Sequence, residues 1–410
     1  MQKWLKMNKE DYPVHRPHRG ALPQRAGLGV QNVLNAAPSI MDANVYRDLD
    51  QFEREMSQVF TTHWLIAGRS DSIPNPGDWL TYEGHDQSVV VTRQSDGSLS
   101  AFHNVCAHRG TPFVTKMSGS SANCFVCPYH GWAYDTAGEL IAVPERGDFD
   151  SNQLKTRAMP VSADEWAGWV WINMSNPKPS KSLCEYIGED ILSDLGEYRM
   201  EDMYVHELIE YDVPINYKTI VDGFNEVYHV TELHKVSIEF TRSVRHSTFR
   251  VLGDNSMSIM PRPEFIEDVS SSDYDHHHNA ICHYLIFPNS IFNCFNNHIQ
   301  IFQPIPVDVS TTKFLCWELL YKGNEEDIRY LRYRNKSIRD WTQFKKVINE
   351  DIAIYDQLKR TKKSIAFNSQ ILSERENKIF RYHETMNAKA APGGPGRVES
   401  KDAYIKVEKS

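Results

Sequence analysis

The chain is notable first for what it does not contain. In its 410 residues there is no run of about 18 apolar residues, so no helix of it is expected to span a membrane. The N-terminus has scattered Lys and Arg but no apolar core of signal-peptide length, which makes the cytoplasm the expected compartment. Positive charge is in deficit: 45 Lys and Arg face 54 Asp and Glu, and a net charge of -9 argues against a nucleic-acid partner. Cysteine is scarce. Seven residues cannot build a disulfide scaffold in so long a chain, and an odd count fits metal binding or buried thiols better. No G-x-G-x-x-G follows a strand pattern, so neither NAD(P)H nor flavin has a binding motif. No internal repeat is found.

What is present is an ordinary globular composition, 40% hydrophobic and 24% charged, long enough for two or three domains. Residues 1–40 (with HRPHRGALPQR) read as an extended arm. Tyr46, Leu49, Phe52, Met56 and Phe60 share one apolar face, which predicts a helix over 41–61. Residues 62–175 read as β, with an Asp-Gly turn in QSDGS and a second hairpin around 132–143. SNPKPSKS (175–182) is a linker. Beyond it, 183–387 combines a helix at 185–196, a strand-rich block from about 244 to 322 and helical patterns from about 324. Residues 388–410, with APGGPG, have tail composition. The DHHH run at 275–278 sits in a Ser/Asp/Asn-rich stretch. Such a tract is able to bind metal, and a solvated loop is the plainer reading.

Two stretches carry chemistry. Cys106-Ala-His108 and Cys127-Pro-Tyr-His130 lie on tight loops between strands, which is how a sheet presents ligands to one point. Two thiolates and two imidazoles fit structural zinc or a 2Fe-2S cluster in which two histidines replace two cysteines on one iron. Zinc modules usually begin with a short Cys-Cys gap, whereas here each pair is one Cys with one His. Cys124 does make a Cys-x-x-Cys with Cys127, and is read as a spare thiol. The second stretch is NYKTIVDGFNEVYHVTELHK (216–235). If it is helical, Asp222, Glu226 and His229 stack on one face, while His234 lies roughly 140° away. Bringing both imidazoles to one atom requires a break or bulge after His229. The pair reads as metal ligands awaiting a third.

CAHRG and CPYHGWAYD, with Gly131, Trp132 and Tyr134 after the last ligand, closely resemble the Rieske cluster-binding motif. The gap of 18 residues between His108 and Cys127 is slightly longer than usual for that motif. Together with the second stretch, the chain from about 40 to 387 resembles the α (catalytic) subunit of a Rieske non-haem iron oxygenase. In that family an acid-x-x-His-x4-His pattern, here Glu226, His229 and His234, supplies two iron ligands, and a distant carboxylate completes the set. Periodicity locates the third. In KKVINEDIAIYDQL, Val347, Ile348, Ile354, Tyr355 and Leu358 form one apolar face with Asp351 in its middle and Glu350 at its edge. A buried carboxylate needs a cation, and the family pattern places its ligand at the same Asp of a Glu-Asp pair.

The resemblance implies an α+β fold: a small all-β Rieske domain, and a larger catalytic domain with a curved antiparallel sheet flanked by helices, onto which the 41–61 helix packs. It implies one Rieske 2Fe-2S cluster on Cys106, His108, Cys127 and His130, and one mononuclear non-haem Fe(II) on His229, His234 and Asp351. It casts Glu226 as a bridge to His108 or His130 of a neighbouring subunit in a homotrimer, with Asp222 and Tyr228 holding an imidazole N–H. Two departures stand out: Asp222 occupies a position that is Asn in one branch, and Tyr217 replaces the usual Trp. The expected partners are a small-molecule substrate, O2 and a separate NAD(P)H reductase, with or without a ferredoxin and a β subunit. The expected reaction is hydroxylation of an aromatic or alicyclic compound. The alternatives are monooxygenation with N- or O-demethylation of a quaternary amine or methoxy compound, as in choline and carnitine monooxygenases, or a non-catalytic electron-transfer or zinc protein. Phe224, Val227, Phe287, Phe292, Phe295 and Ile301 are the candidate pocket residues.

Overall fold

A computed structural model describes residues 39–391 apart from 85, 121, 153, 155, 177, 238–245, 267–273 and 374–375. Nearly all of the expected arm and most of the expected tail lie outside the described residues. The described chain forms two compact units, one of residues 49–186 with 385–391 and the other of 39–48 with 187–384. The first boundary cuts through the predicted 41–61 helix. That segment is a strand, β1 (Ser39–Asp42), a 3-10 turn (Ala43–Tyr46), then α1 (Leu49–Glu55) running into a π-helical turn (Met56–Phe60). The Asp42 carboxylate accepts the Asn44 N–H at 2.9 Å and ends the strand. Only the part before Leu49 belongs to the larger unit.

The smaller unit is all β apart from its flanking helices. It contains β2 (Leu65–Arg69), β3 (Trp79–Gly84), β4 (Gln87–Arg93), β5 (Leu99–His103), β6 (Ser118–Gly119), β7 (Cys124–Val126), β8 (Ala133–Asp135), β9 (Leu140–Ala142), β10 (Pro160–Trp166) and β11 (Trp169–Asn173). Seven of these form one antiparallel sheet in the order β2-β11-β10-β5-β4-β3-β6, and β7-β8-β9 form a separate three-stranded sheet. In β11, Trp169, Val170, Trp171 and Ile172 are all fully buried, which is why GWVWINM reads as a continuous apolar run. The β8–β9 turn is tied by Asp135, whose Oδ1 accepts the N–H groups of Ala137 and Glu139 at 2.9 and 2.8 Å.

At the second boundary the expected helix over 185–196 is two helices, α2 (Leu183–Ile187) and α3 (Glu189–Gly196), separated at Gly188. The larger unit continues with β12 (Met203–Val213), α4 (Tyr217–Phe224), α5 (Val230–Leu233), β13 (Thr248–Leu252), β14 (Asn255–Pro261), α6 (His276–Asn279), β15 (Ala280–Ile286), β16 (Ser290–Cys294), β17 (His298–Asp308) and β18 (Thr311–Tyr321). It ends with the 34-residue α7 (Ile328–Thr361), then β19 (Ser369–Leu372), which pairs with β1, and α8 (Asn377–Lys389). Its main sheet is antiparallel, in the order β12-β18-β17-β16-β15-β14-β13. The fold is α+β, with that curved sheet at the centre of the catalytic half.

Register decides what the sheet offers to each side. Phe302 of β17 lies opposite Ile291 and Cys316, so these three share a face. That face receives α4 and α7: Phe224 stacks on Phe302 at 4.6 Å between centroids, and Phe344 of α7 lies 5.9 Å from the same ring. The opposite face receives α3, where the Tyr284 hydroxyl donates to Asp194. Covered on both sides, β16 is buried throughout and loses the apolar–polar alternation of a half-exposed strand.

Candidate active site

The cluster-binding half is built from two loops with the same closure. The Gly110 N–H donates to the Cys106 carbonyl at 2.9 Å, and the Gly131 N–H to the Cys127 carbonyl at 3.0 Å. Both glycines have positive φ, +79° and +73°, which a residue with a Cβ resists. Each loop therefore curls its Cys and its His to the same side. Both thiols are buried. The imidazoles of His108 and His130 meet edge-to-face at 4.5 Å, and Trp132 stacks on His108 at 5.0 Å. His108 Nδ1 is buried without a hydrogen-bond partner. An orphaned ring nitrogen on a loop that also carries a buried thiol fits a metal cluster. Burial pushes the Cys106 thiol up, partly offset by hydrogen bonds from the His108 N–H and the Tyr134 hydroxyl. Cys124 opens β7 opposite Asp135, outside both loops.

The second site lies in the larger unit, and its backbone differs from the single-helix reading. The helix stops before the histidines: α4 ends at Phe224, Asn225 is its C-cap, and His229 is the N-cap of the short α5. Asp222, Glu226 and His229 therefore share no helical face. Gly223 and Asn225, common near helix C-termini, were the available signal. His234 sits at the C-cap of α5, and this second interruption brings its ring within 5.1 Å of His229.

The structure brings His229, His234 and Asp351 together, with one ligand atom of each lying within 4.8 Å of the others. Asp351 Oδ1 is 3.1 Å from His234 Nε2, yet that nitrogen, fully buried, has no hydrogen-bond partner. The close pair is misaligned for N–H···O. Both atoms instead address a common point, as ligands of one ion do. The outer ring nitrogens are held by carboxylates: Glu226 Oε1 bonds His229 Nδ1, and Glu350 Oε2 bonds His234 Nδ1 at 2.7 Å. Ser237 donates to the same Glu350 oxygen at 2.5 Å. Carboxylate-held imidazoles are the usual outer support of metal ligands. Burial lowers both histidines' proton affinity, but Glu226 for His229 and Asp351 with Glu350 for His234 outweigh it and leave both raised. Three carboxylates around two rings call for a cation, and a two-histidine, one-carboxylate set with open positions suits non-haem iron.

Other expected residues fall elsewhere. Asp222 is turned away from the imidazoles and accepts from Tyr46 at 2.5 Å and from His383 Nε2 at 2.9 Å, tying α4 to the chain's start and to α8. Tyr228 is 60% exposed. The N–H-holding role expected of these two is taken by Glu226 and by Glu350, which sequence reasoning set aside at the helix edge. Among the pocket candidates, Phe287, Phe292 and Ile301 are fully buried, with Phe292 and Ile301 paired on the sheet face away from Phe302. Phe224, Val227 and Phe295 remain partly exposed. The DHHH run is not a solvated loop: His276 and His277 begin α6 and are buried.

Comparison with known proteins agrees with both halves. Residues 63–156 match the Rieske [2Fe-2S] domain model, and residues 200–391 match the ring hydroxylating α subunit (catalytic domain) model. The chain is 27% identical over 340 residues to the carnitine monooxygenase oxygenase subunit of Escherichia coli K12, covering 80% of this chain and 85% of that protein. It is 28% identical over 337 residues to the large oxygenase component of the naphthalene 1,2-dioxygenase system of Pseudomonas aeruginosa, covering 70% and 72%. Solved structures share the fold. A quaternary ammonium Rieske monooxygenase in complex with L-carnitine superposes with a TM-score of 0.68 at 21% identity over 90% of this chain and 99% of that one. Naphthalene 1,2-dioxygenase from Rhodococcus sp. bound to indole gives 0.71 at 17% identity over 86% and 95%.

The architecture is that of an O2-using oxidoreductase with two metal centres. The chain belongs to the Rieske non-haem iron oxygenases and is a catalytic α subunit, carrying one Rieske 2Fe-2S cluster and one mononuclear iron. It uses a substrate, O2 and a separate electron-transfer partner. Among the described residues, no helix is long and apolar enough to cross a membrane.

Proposed function

We propose that this chain is the terminal oxygenase of a multicomponent system acting on a small aromatic or alicyclic compound. Its cluster is held by Cys106, His108, Cys127 and His130 in a domain spanning 62–175, and its iron by His229, His234 and Asp351 in a domain spanning 183–387. The observation that carries the reading is the convergence of those three ligand atoms, with His234 Nε2 buried and unbonded. When bound, iron provides the site of O2 activation and the cluster supplies single electrons.

The protein's own residues set the geometry around these groups. Glu350 holds the His234 ring at Nδ1, which aims Nε2 at the point that Asp351 Oδ1 also addresses. The side chains of His229 and Asp351 remain 26% and 16% exposed, leaving an approach for small molecules. Phe224, Phe302 and Phe344 stack into an apolar cluster between the sheet and the helices α4 and α7 that precede and carry the ligands. Glu226 already accepts from the Tyr228 and His229 N–H groups and holds His229 Nδ1. Spare lone pairs on its carboxylate suit it to bridge to a cluster histidine of a neighbouring subunit in a cytoplasmic homotrimer. An NAD(P)H reductase, directly or through a ferredoxin, completes the system.

A second reading is monooxygenation with demethylation of a quaternary amine. The carnitine monooxygenase relative supports it. Peroxide-driven single turnover across a substrate panel, read by mass spectrometry, separates the two. Addition of two oxygen atoms to a ring compound is expected. One added atom or released formaldehyde selects the second reading, and failure of the iron-loaded protein on every compound overturns both. Light scattering is expected to give three times the 47.3 kDa chain mass.

A further inference from the structure

Apart from the cluster loops and the iron site, Asp194, His276 and His277 are also gathered as metal-type ligands among the described residues. Consecutive residues on a helix point about 100° apart. At the start of the four-residue α6, however, both imidazoles turn to one carboxylate. Asp194 Oδ1 lies 2.8 Å from His276 Nε2 and 3.4 Å from His277 Nε2, with the rings 4.1 Å apart between centroids. The Asp194 carbonyl oxygen is 3.0 Å from the same His277 nitrogen, a further oxygen donor at the point of convergence.

We infer that Asp194, His276 and His277 form a second, structural site for a zinc-type divalent cation, pinning α3 and α6 against the face of the catalytic sheet opposite the iron. Tetrahedral zinc with bonds of about 2.0–2.1 Å places its donors about 3.3 Å apart, and the two observed separations bracket that value. The donor set repeats that of the catalytic centre, where the corresponding Nε2–Oδ1 separation is 3.1 Å. Exposure divides the two. His276 and His277 are 4% and 6% exposed, as befits a closed structural site rather than one with open positions. Tyr284 orients the carboxylate by donating to Asp194 Oδ2 at 2.5 Å, and the Tyr198 ring packs edge-on against His277 at 4.9 Å. Without the cation the imidazole N–H groups point at Asp194. Binding moves those protons to the Nδ1 positions and turns the same Nε2 atoms into donors to the metal.

The test uses full-length protein carrying its cluster and iron. Elemental analysis after gel filtration is expected to find about one zinc per chain beyond the three irons, and titrated Zn2+ is expected to raise Tm by several degrees after chelator treatment. His277→Gln, which retains a side-chain amide for packing, is expected to lose both effects while keeping the Rieske EPR signal. Co2+ in place of zinc is expected to give the intense visible bands of a tetrahedral site. Equal zinc content and equal Zn2+ response in wild type and His277→Gln would overturn the assignment. So would the absence of any Zn2+ effect on the wild type, and either result would leave a hydrogen-bonded cluster only. If His277→Gln fails to fold, Asp194→Asn is judged by the same cobalt spectrum.

Discussion

The two metal centres of this chain are assembled in opposite ways. The four proposed cluster ligands lie between Cys106 and His130, each pair inside a loop that closes on itself through one Gly N–H and one Cys carbonyl. The proposed iron set joins an interrupted helical segment at 229–234 to Asp351, on a different helix more than a hundred residues later. Local closure makes the cluster loops self-sufficient: their geometry is determined by turns. The iron site depends on packing between α4, α5 and α7, so its precision is a property of the whole larger unit. The same contrast governs support. The cluster histidine His108 is braced by a stacked ring, Trp132, whereas the iron histidines are braced by charged acids.

The sharpest way to break the comparison is His229→Ala, expected to abolish mononuclear iron and turnover while the Rieske EPR signal stays at wild-type intensity. A lost signal would mean that the two centres are not separately assembled. Cys106→Ala is the mirror experiment: reductant-driven turnover vanishes while one iron per chain remains, read by metal analysis. Glu226→Gln is expected to keep both metals yet lose nearly all reductase-driven turnover, with the cluster still reducible in stopped flow. Normal turnover would make Glu226 structural only. Glu350→Gln should weaken iron retention or activity about 10–100-fold, the usual cost of losing a carboxylate behind a metal-bound histidine. Wild-type iron content and rate after that change would place Glu350 outside the site. The smallest effect belongs to Gly110→Ala. Nothing lies within 4 Å of the added methyl, so only the positive φ is strained, and thermal melting should show a loss of about 1 kcal/mol.

What the sequence revealed follows the same division. The two cluster loops were legible because the Cys-x-His and Cys-x-x-His spacings encode tight turns, while the choice of a 2Fe-2S cluster over zinc came from the resemblance. Asp351 was legible because a carboxylate in the middle of an apolar helical face violates the period around it. Glu350 was not, since its polar edge position between Lys346 and Gln357 looks like solvated surface, and the partners that bind it, His234 and Ser237, are 116 and 113 positions away. The helix break at Asn225 carried a local signal, Gly223 with Asn225, which the regular spacing of Asp222, Glu226 and His229 overrode. The burial of His276 and His277 had no local signal at all. It is imposed by Asp194 and Tyr284, and a Ser/Asp-rich neighbourhood points the other way. The sheet was legible in kind, through its long apolar strands. The pairing of β1 with β19 joins segments about 330 residues apart and lay beyond any periodic reading.

The placement of Glu350 on His234 Nδ1 and of Asp351 beside its Nε2 also limits how this gene can change length. Both acids ride on α7, and any residue inserted upstream within that helix turns everything after it by about 100°. Neither acid would then face His234, and no side-chain rotamer could restore both contacts together. Substitutions along the outer face of α7 leave that phase untouched. Insertions and deletions between Trp341, whose indole donates to Glu207 on the edge strand β12, and Asp351 should therefore be absent from any functional library of this protein, while the same changes in the turn after Thr361 should be common.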